Sequence, residues 1–328
     1  MPMMQATPML SRRHNWLVAV CLMMPLSAVG GSADGPANVA YRTSASEVRV
    51  TFFTTDAGNH PVEAVSKDDF AIVDGDMVVR DFRSLARSSE TELDVVILVD
   101  ASGSIGPRLQ PVVNDVLQLF SQKPMASDQN IAVMSFAGLQ PSFLCSGDCR
   151  SAAANQRLSA LRPAGATPLF DALAAAAAFF FRRQRPEVRP VLILFSDGDD
   201  TISRTSAEDA LQALIASGTL LYAVDLNAAG SVTSGTRTKT GNASRGSATL
   251  QQLAEATGGR CLFMQDDASH ALQSALEDLH ASYVVTYNLP SRAPGFHTLR
   301  ILPKHDLNMR FHCRAGYYYE NETPAPSL

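Results

Sequence analysis

From Val48 the chain alternates apolar and polar positions through Val50 and Phe52, turns at Asp56-Ala57-Gly58-Asn59, and resumes through Phe70, Ile72 and Val73 to a second turn at Asp74-Gly75-Asp76. A period of two between polar turns predicts short antiparallel strands, so residues 47–90 are expected to form a small β module. Beyond Thr91 the rhythm changes. Apolar runs at 95–99, 131–136, 191–195 and 220–224, with a further candidate strand at 261–264, alternate with segments at 109–122, 169–182, 207–217, 250–256 and 268–280, most of which carry apolar residues at helical spacing. Strands apolar on both faces and interleaved with helices predict an α/β fold over 91–282, a doubly wound and mainly parallel sheet flanked by helices. The stretch 227–247 is dense in Gly, Ser, Thr and Asn and reads as a surface loop. After it, 283–287, 298–302 and 309–313 alternate like strands again, so a second β segment is expected over 283–320, followed by a tail at 321–328.

The first residues read differently. Arg12, Arg13 and His14 precede an apolar run at 16–26, and the small residues Ser27, Ala28, Gly30, Gly31 and Ala33 follow. That order is the pattern of an export signal over 1–33, with cleavage expected between Gly30 and Asp34 and a flexible lead over 34–46. The run is shorter than the ~20 residues of a spanning helix and contains Pro25, so no stable membrane span is expected once the signal is removed. The mature chain is expected to be secreted or periplasmic. Loss of Cys21 leaves Cys145, Cys149, Cys261 and Cys313, an even set suited to an oxidising compartment. Cys145 with Cys149 is the favoured pair, while Cys261 and Cys313 are either bonded or buried thiols.

Composition removes several function classes. With 46% hydrophobic and 18% charged residues the chain is too apolar to be disordered. The 27 Lys+Arg against 32 Asp+Glu include no basic block that could follow a phosphate backbone, so nucleic acid is not an expected partner. The seven His show no metal-ligand spacing, and His297, His305 and His312 lie in the terminal strands, where packing or surface roles are expected. Ser102-Gly103-Ser104-Ile105-Gly106 lacks the leading Gly of a nucleophile elbow, and no Walker or dinucleotide sequence follows a strand. An aspartyl phosphotransfer site would want a second carboxylate two residues after Asp100, where Ser102 stands. A non-enzymatic protein is expected, with Mg2+-dependent hydrolysis as a remote alternative.

One constellation does carry chemistry. The first buried strand ends in Leu98-Val99-Asp100-Ala101-Ser102-Gly103-Ser104, another ends in Ser196-Asp197-Gly198-Asp199, and Gly165-Ala166-Thr167-Pro168 precedes a helix between them. In open α/β sheets the carboxyl edge of the strands is where ligands bind. Asp100, Ser102, Ser104, Thr167 and Asp197 together offer two carboxylates and three hydroxyls, an all-oxygen set suited to Mg2+, which keeps several waters; Mn2+ and Ca2+ accept the same donors. Asp199 and Asp200 are expected to be solvated loop charges, and Asp171 to cap or brace the helix after Thr167.

These residues resemble the metal-ion-dependent adhesion site of the von Willebrand factor type A domain, which uses Asp-x-Ser-x-Ser, a distant Thr and a distant Asp. The resemblance assigns Asp100, Ser102 and Ser104 to the first motif, Thr167 to the second and Asp197 to the third. It implies direct metal contact by the Ser hydroxyls, carboxylates acting largely through water, and a partner protein that completes the coordination sphere with an acidic side chain. Lys67-Asp68-Asp69-Phe70 to Asp74-Gly75 and the terminal Arg314-Ala315-Gly316-Tyr317-Tyr318 are similar to the acidobacterial-type VWFA-related domain of exported bacterial proteins. The alternative to a metal-dependent binding protein is a structural or assembly subunit of a cell-envelope complex, with an incidental metal.

Overall fold

The computed structural model describes residues 47–58, 60–62, 64–87, 92–121, 130–183, 188–227, 244–263, 268–291 and 293–319. The expected export signal, the lead at 34–46, the tail at 321–328 and most of the expected loop at 227–247 lie outside the described residues. Four strands come first: β1 (Glu47–Thr55), β2 (Phe70–Asp74), β3 (Met77–Val79) and β4 (Phe82–Arg87). The alternating section follows as β5 (Glu92–Asp100), α1 (Leu109–Ser121), β6 (Ile131–Phe136), β7 (Ser142–Ser146), α2 (Ala152–Ser159), α3 (Leu169–Arg182), β8 (Val188–Ser196), α4 (Ala207–Ala216), β9 (Leu220–Asp225), α5 (Arg245–Thr257), β10 (Arg260–Phe263) and α6 (Ala268–His280). The chain closes with β11 (Tyr283–Asn288), β12 (Gly295–Pro303), β13 (Arg310–Cys313) and β14 (Gly316–Tyr319).

The central sheet runs β10-β9-β8-β5-β6-β7, parallel except for β7, which pairs antiparallel with β6 at the edge. Its inner strands β9, β8, β5 and β6 are buried on both faces because successive side chains serve different cores. Val95, Ile97 and Val99 of β5 pack with residues of α1, α2 and α6, whereas Val96 and Leu98 pack with α3, α4 and α5. Replacing a wholly buried residue here, such as Leu98, with Ala costs about 2–5 kcal/mol. From β5 the chain winds outward to β6 and β7, then returns through α3 to place β8 on the other side of β5. The order therefore reverses between β5 and β8, which opens a crevice at their carboxyl ends.

Within the alternating section, β7 and α2 have no counterpart in the apolar pattern. Edge strand β7 leaves Phe143 half-exposed, and α2 is largely exposed, its start fixed by the Ser151 hydroxyl, which accepts from the Ala154 N–H. Helix α5 also begins inside the expected loop, because its polar first turn is set by a cap, Ser244 accepting from the Ser247 N–H at 3.1 Å, rather than by apolar spacing.

The β segments at the two ends of the chain share both of their sheets, ordered β13-β1-β11-β4 and β14-β12-β2-β3. Val50 faces Val285 across one sheet and Ile72 faces Ile301 across the other, and a common core of Val48, Phe52, Phe70, Tyr287, Leu299 and Tyr317 joins them. Within it Asp74 is buried and accepts hydrogen bonds from the hydroxyls of Tyr287 and Tyr317, both at 2.8 Å. Cys145 and Cys149 form a disulfide between β7 and the turn before α2, while Cys261 and Cys313 are free thiols. Among the described residues no helix is long and apolar enough to cross a membrane.

Candidate metal-ion site

Strand β5 delivers Asp100 to the sheet edge, and a tight turn follows in which the Ser102 N–H donates to Asp100 Oδ1 at 2.9 Å. Asp100 and Ser102 are wholly buried, whereas Ser104 is exposed. The turn is anchored below by Ile105, also wholly buried among the residues of α1. Its two hydroxyls face the same place, since Ser102 Oγ and Ser104 Oγ lie 3.1 Å apart.

Backbone bonds lace this turn to the next loop. Gly103 N–H donates to the Gly165 carbonyl at 2.9 Å, Ala164 N–H to the Ala101 carbonyl at 2.9 Å, and Gly138 N–H to the Ala166 carbonyl at 2.8 Å. Gly165 has φ +77°, and a Cβ there would stand 3.2 Å from the Gly138 nitrogen, so the loop needs glycine for both conformation and room. Thr167 follows, buried, and is tied to the third loop in both directions. Its N–H donates to Thr201 Oγ1 at 2.7 Å, and its carbonyl accepts from the Thr201 N–H at 2.9 Å.

The third loop leaves β8 through Ser196 and Asp197, both buried. Ser196 Oγ donates to Asp100 Oδ2 at 2.7 Å and accepts from the Gly198 N–H at 3.1 Å. Further along, Asp171 braces the loop by accepting from the N–H groups of Arg204 and Thr205. Burial works against that carboxylate, but the hydrogen bonds from Thr205 and Arg204 outweigh it and hold its pKa below the usual value. Asp200 is not a free solvated charge. It accepts from the Ser203 hydroxyl at 2.5 Å and from the Phe170 N–H at 3.4 Å, in the first turn of α3. Asp199 is exposed, as expected.

All five sequence-derived residues thus sit on three interlocked loops at the crevice between β5 and β8. Three further residues, silent in the sequence, organise the same edge. Ser196 links the two acidic strands. Arg108, in the turn after Ser104, reaches Asp197 Oδ2 at 3.5 Å, and Asn227 Nδ2 donates to the Asp197 carbonyl at 2.8 Å. None of the three carries periodicity or a recurrent spacing, so only the assembled fold finds them.

Burial, and then the nearby charge of Asp197, raise the Asp100 pKa against hydrogen bonds from Ser102 and Ser196. Two buried carboxylates close enough to repel one another want a cation. Among the described residues no three His, Cys, Asp or Glu side chains cluster as a metal-ligand group. The donor set is oxygen only, and both Asp100 oxygens are already fixed in direction by protein donors. Those features fit a hard divalent ion that retains water.

Residues 95–199 match the family model described as the von Willebrand factor type A domain. No curated protein matches the chain. Among solved structures, the chain is similar to the vWF domain of the type V pili tip protein Mfa5 from Porphyromonas gingivalis, at 25% identity over 36% of this chain and 43% of that one, with a TM-score of 0.29. It is similar to a von Willebrand factor type A protein from Catenulispora acidiphila, at 14% identity over 86% and 76%, with a TM-score of 0.42. It is also similar to the manganese-loaded TRAP protein of Plasmodium vivax, at 16% identity over 75% and 97%, with a TM-score of 0.40. The chain spans less than half of the Mfa5 structure it matches.

Proposed function

We propose that the von Willebrand factor type A domain carried by this chain holds one divalent cation, Mg2+ first among the candidates, and uses it to bind a carboxylate presented by a partner protein. Ser102, Ser104 and Thr167 would hold the ion through their hydroxyls, with Asp100 and Asp197 acting largely through water. Bound there, the ion would supply a Lewis-acidic centre with only two formal negative charges from the protein around it, and so would remain attractive to an incoming acid. The residues themselves orient it. Ser196 and the Ser102 N–H fix the two oxygens of Asp100, and Thr201 fixes the backbone of Thr167.

The observation that carries this reading is the lacing of the β5, Thr167 and β8 loops into one edge that bears two buried carboxylates and three hydroxyls. That set of oxygen donors supports the binding of a hard divalent ion. Export to the periplasm or beyond belongs to the same reading, supported by the Cys145–Cys149 disulfide, which suits an oxidising compartment.

The test is calorimetric titration of the metal-stripped chain with Mg2+ and Mn2+, in parallel with the Ser102→Ala/Ser104→Ala double variant. Saturable binding that the variant loses supports the reading, and equal binding by both sinks it. A second reading, a structural subunit whose contacts lie elsewhere, draws on the exposed Met77, Val78, Phe296 and Leu302 of the β14-β12-β2-β3 sheet. Partner binding that persists undiminished in EDTA would favour it.

A further inference from the structure

Arg108 is the most heavily engaged side chain at the site, and nothing in the proposed coordination uses it. Its Nε donates to the Ile105 carbonyl at 3.2 Å and one Nη2 hydrogen to the Ser104 carbonyl at 2.7 Å, both within the turn that carries the Ser hydroxyls. Its Nη1 donates to the Leu226 carbonyl at 3.0 Å and to Asn227 Oδ1 at 2.9 Å, both just beyond β9. Nη2 also lies 3.5 Å from Asp197 Oδ2, an ion pair. A guanidinium has five N–H groups in a fixed planar fork, and Arg108 makes four hydrogen bonds with them beside its ion pair with Asp197. Asn227 closes the arrangement by donating in turn to the Asp197 carbonyl.

We propose that Arg108 is a positioning residue for the cation site, a built-in positive charge that keeps Asp197 and the surrounding loops in place when no ion is bound. The inference rests on the cation-site reading above. Asp100 and Asp197 are buried carboxylates at one sheet edge, and without an ion their repulsion and desolvation act to open that edge. The Arg108 guanidinium opposes this at Asp197, while its other donors pin the turn that bears Ser102 and Ser104. A bound divalent ion brings charge of the same sign as Arg108 and satisfies the same carboxylates, so the arginine's stabilising effect is greatest in the metal-free protein. A merely structural arginine would stabilise both states equally.

That difference is measurable. The full chain, as wild type, Arg108→Met and Arg108→Lys, is melted by circular dichroism in EDTA and in saturating MgCl2. Arg108→Met keeps an apolar stem and loses the charge; its melting temperature in EDTA is expected to fall by about 5 °C or more. In Mg2+ most of that loss is recovered, so that the Mg2+-induced shift at least doubles relative to wild type. Arg108→Lys keeps the charge without the fork and is expected to lose stability in both buffers with a Mg2+ shift close to wild type. If Arg108→Met is unfolded in EDTA, refolding on addition of Mg2+ supports the proposal, and failure to fold in either buffer overturns it. An equal loss in both buffers, or no loss in EDTA, also overturns it. Calorimetry of wild type with Mg2+ separates the two failures. A wild type that binds no ion removes the site reading itself, whereas a wild type that binds beside an Arg108→Met variant with an unchanged shift removes only this inference.

Discussion

The Ser196 hydroxyl donates to Asp100 Oδ2 at 2.7 Å, a bond between wholly buried side chains that joins β8 to β5 where the strand order reverses. It ties the acidic end of one strand to that of its neighbour and sets the direction of the Asp100 carboxylate. Replacing Ser196 with Ala removes the hydroxyl donor of that buried oxygen. The metal-free variant is expected to lose about 1–3 kcal/mol in urea unfolding, and its Mg2+ affinity to fall by about 10–100-fold, as when a partner of a metal ligand is removed. Unchanged affinity would mean that Asp100 is oriented by the Ser102 N–H alone.

Backbone approach at the same edge gives a second expectation. Gly198 has φ +78°, and a Cβ there would stand 2.2 Å from the Gly246 carbonyl oxygen in the first turn of α5. Gly198→Ala must therefore both strain the loop and push the helix start away, an expected loss of about 2–4 kcal/mol. Gly75 is the control. Its φ is +60° but a Cβ would meet nothing within 4 Å, so Gly75→Ala should cost only about 1–2 kcal/mol. Equal losses from chemical denaturation of the two variants would count against the packing account.

Much of this was legible before folding. The doubly wound sheet follows from apolar runs such as 191–195, whose residues serve both cores, and the sequence also places Asp100, Ser102, Ser104 and Asp197 just at or after strand ends and Thr167 before a helix. What escaped was set by contacts rather than by period. The pairing of β1 with β11 and β13 joins residues more than two hundred positions apart, and alternation in each strand says nothing about its partner. Asp200 reads as a loop charge until Ser203 and the start of α3 are seen around it. Arg108 carries no signal in the sequence, and its place is set by contacts with Ser104, Leu226 and Asn227.

The paired end segments carry a pH dependence of their own. His312 stacks on Phe53 with centroids 4.5 Å apart and its Nε2 lies 2.9 Å from Thr55 Oγ1. Burial, with smaller contributions from the charges of Arg260 and Arg310, pushes its pKa down to about 4. The folded pKa lies below the ordinary value of 6.5, so the unfolded chain binds the extra proton between those limits and stability falls as pH drops from about 6.5 to about 4. His312→Phe should flatten the stability profile over that window when unfolding is followed at several pH values. A profile as steep as wild type would place the acid sensitivity elsewhere.

The most direct test of the central claim is an anomalous difference map from crystals of the full chain soaked in Mn2+. A single strong peak bounded by Ser102, Ser104, Thr167, Asp100 and Asp197, and absent from the Ser102→Ala/Ser104→Ala variant, is the expected result. Mn2+ bound only elsewhere, or an empty edge in crystals whose β5, Thr167 and β8 loops are free of lattice contacts, would contradict it.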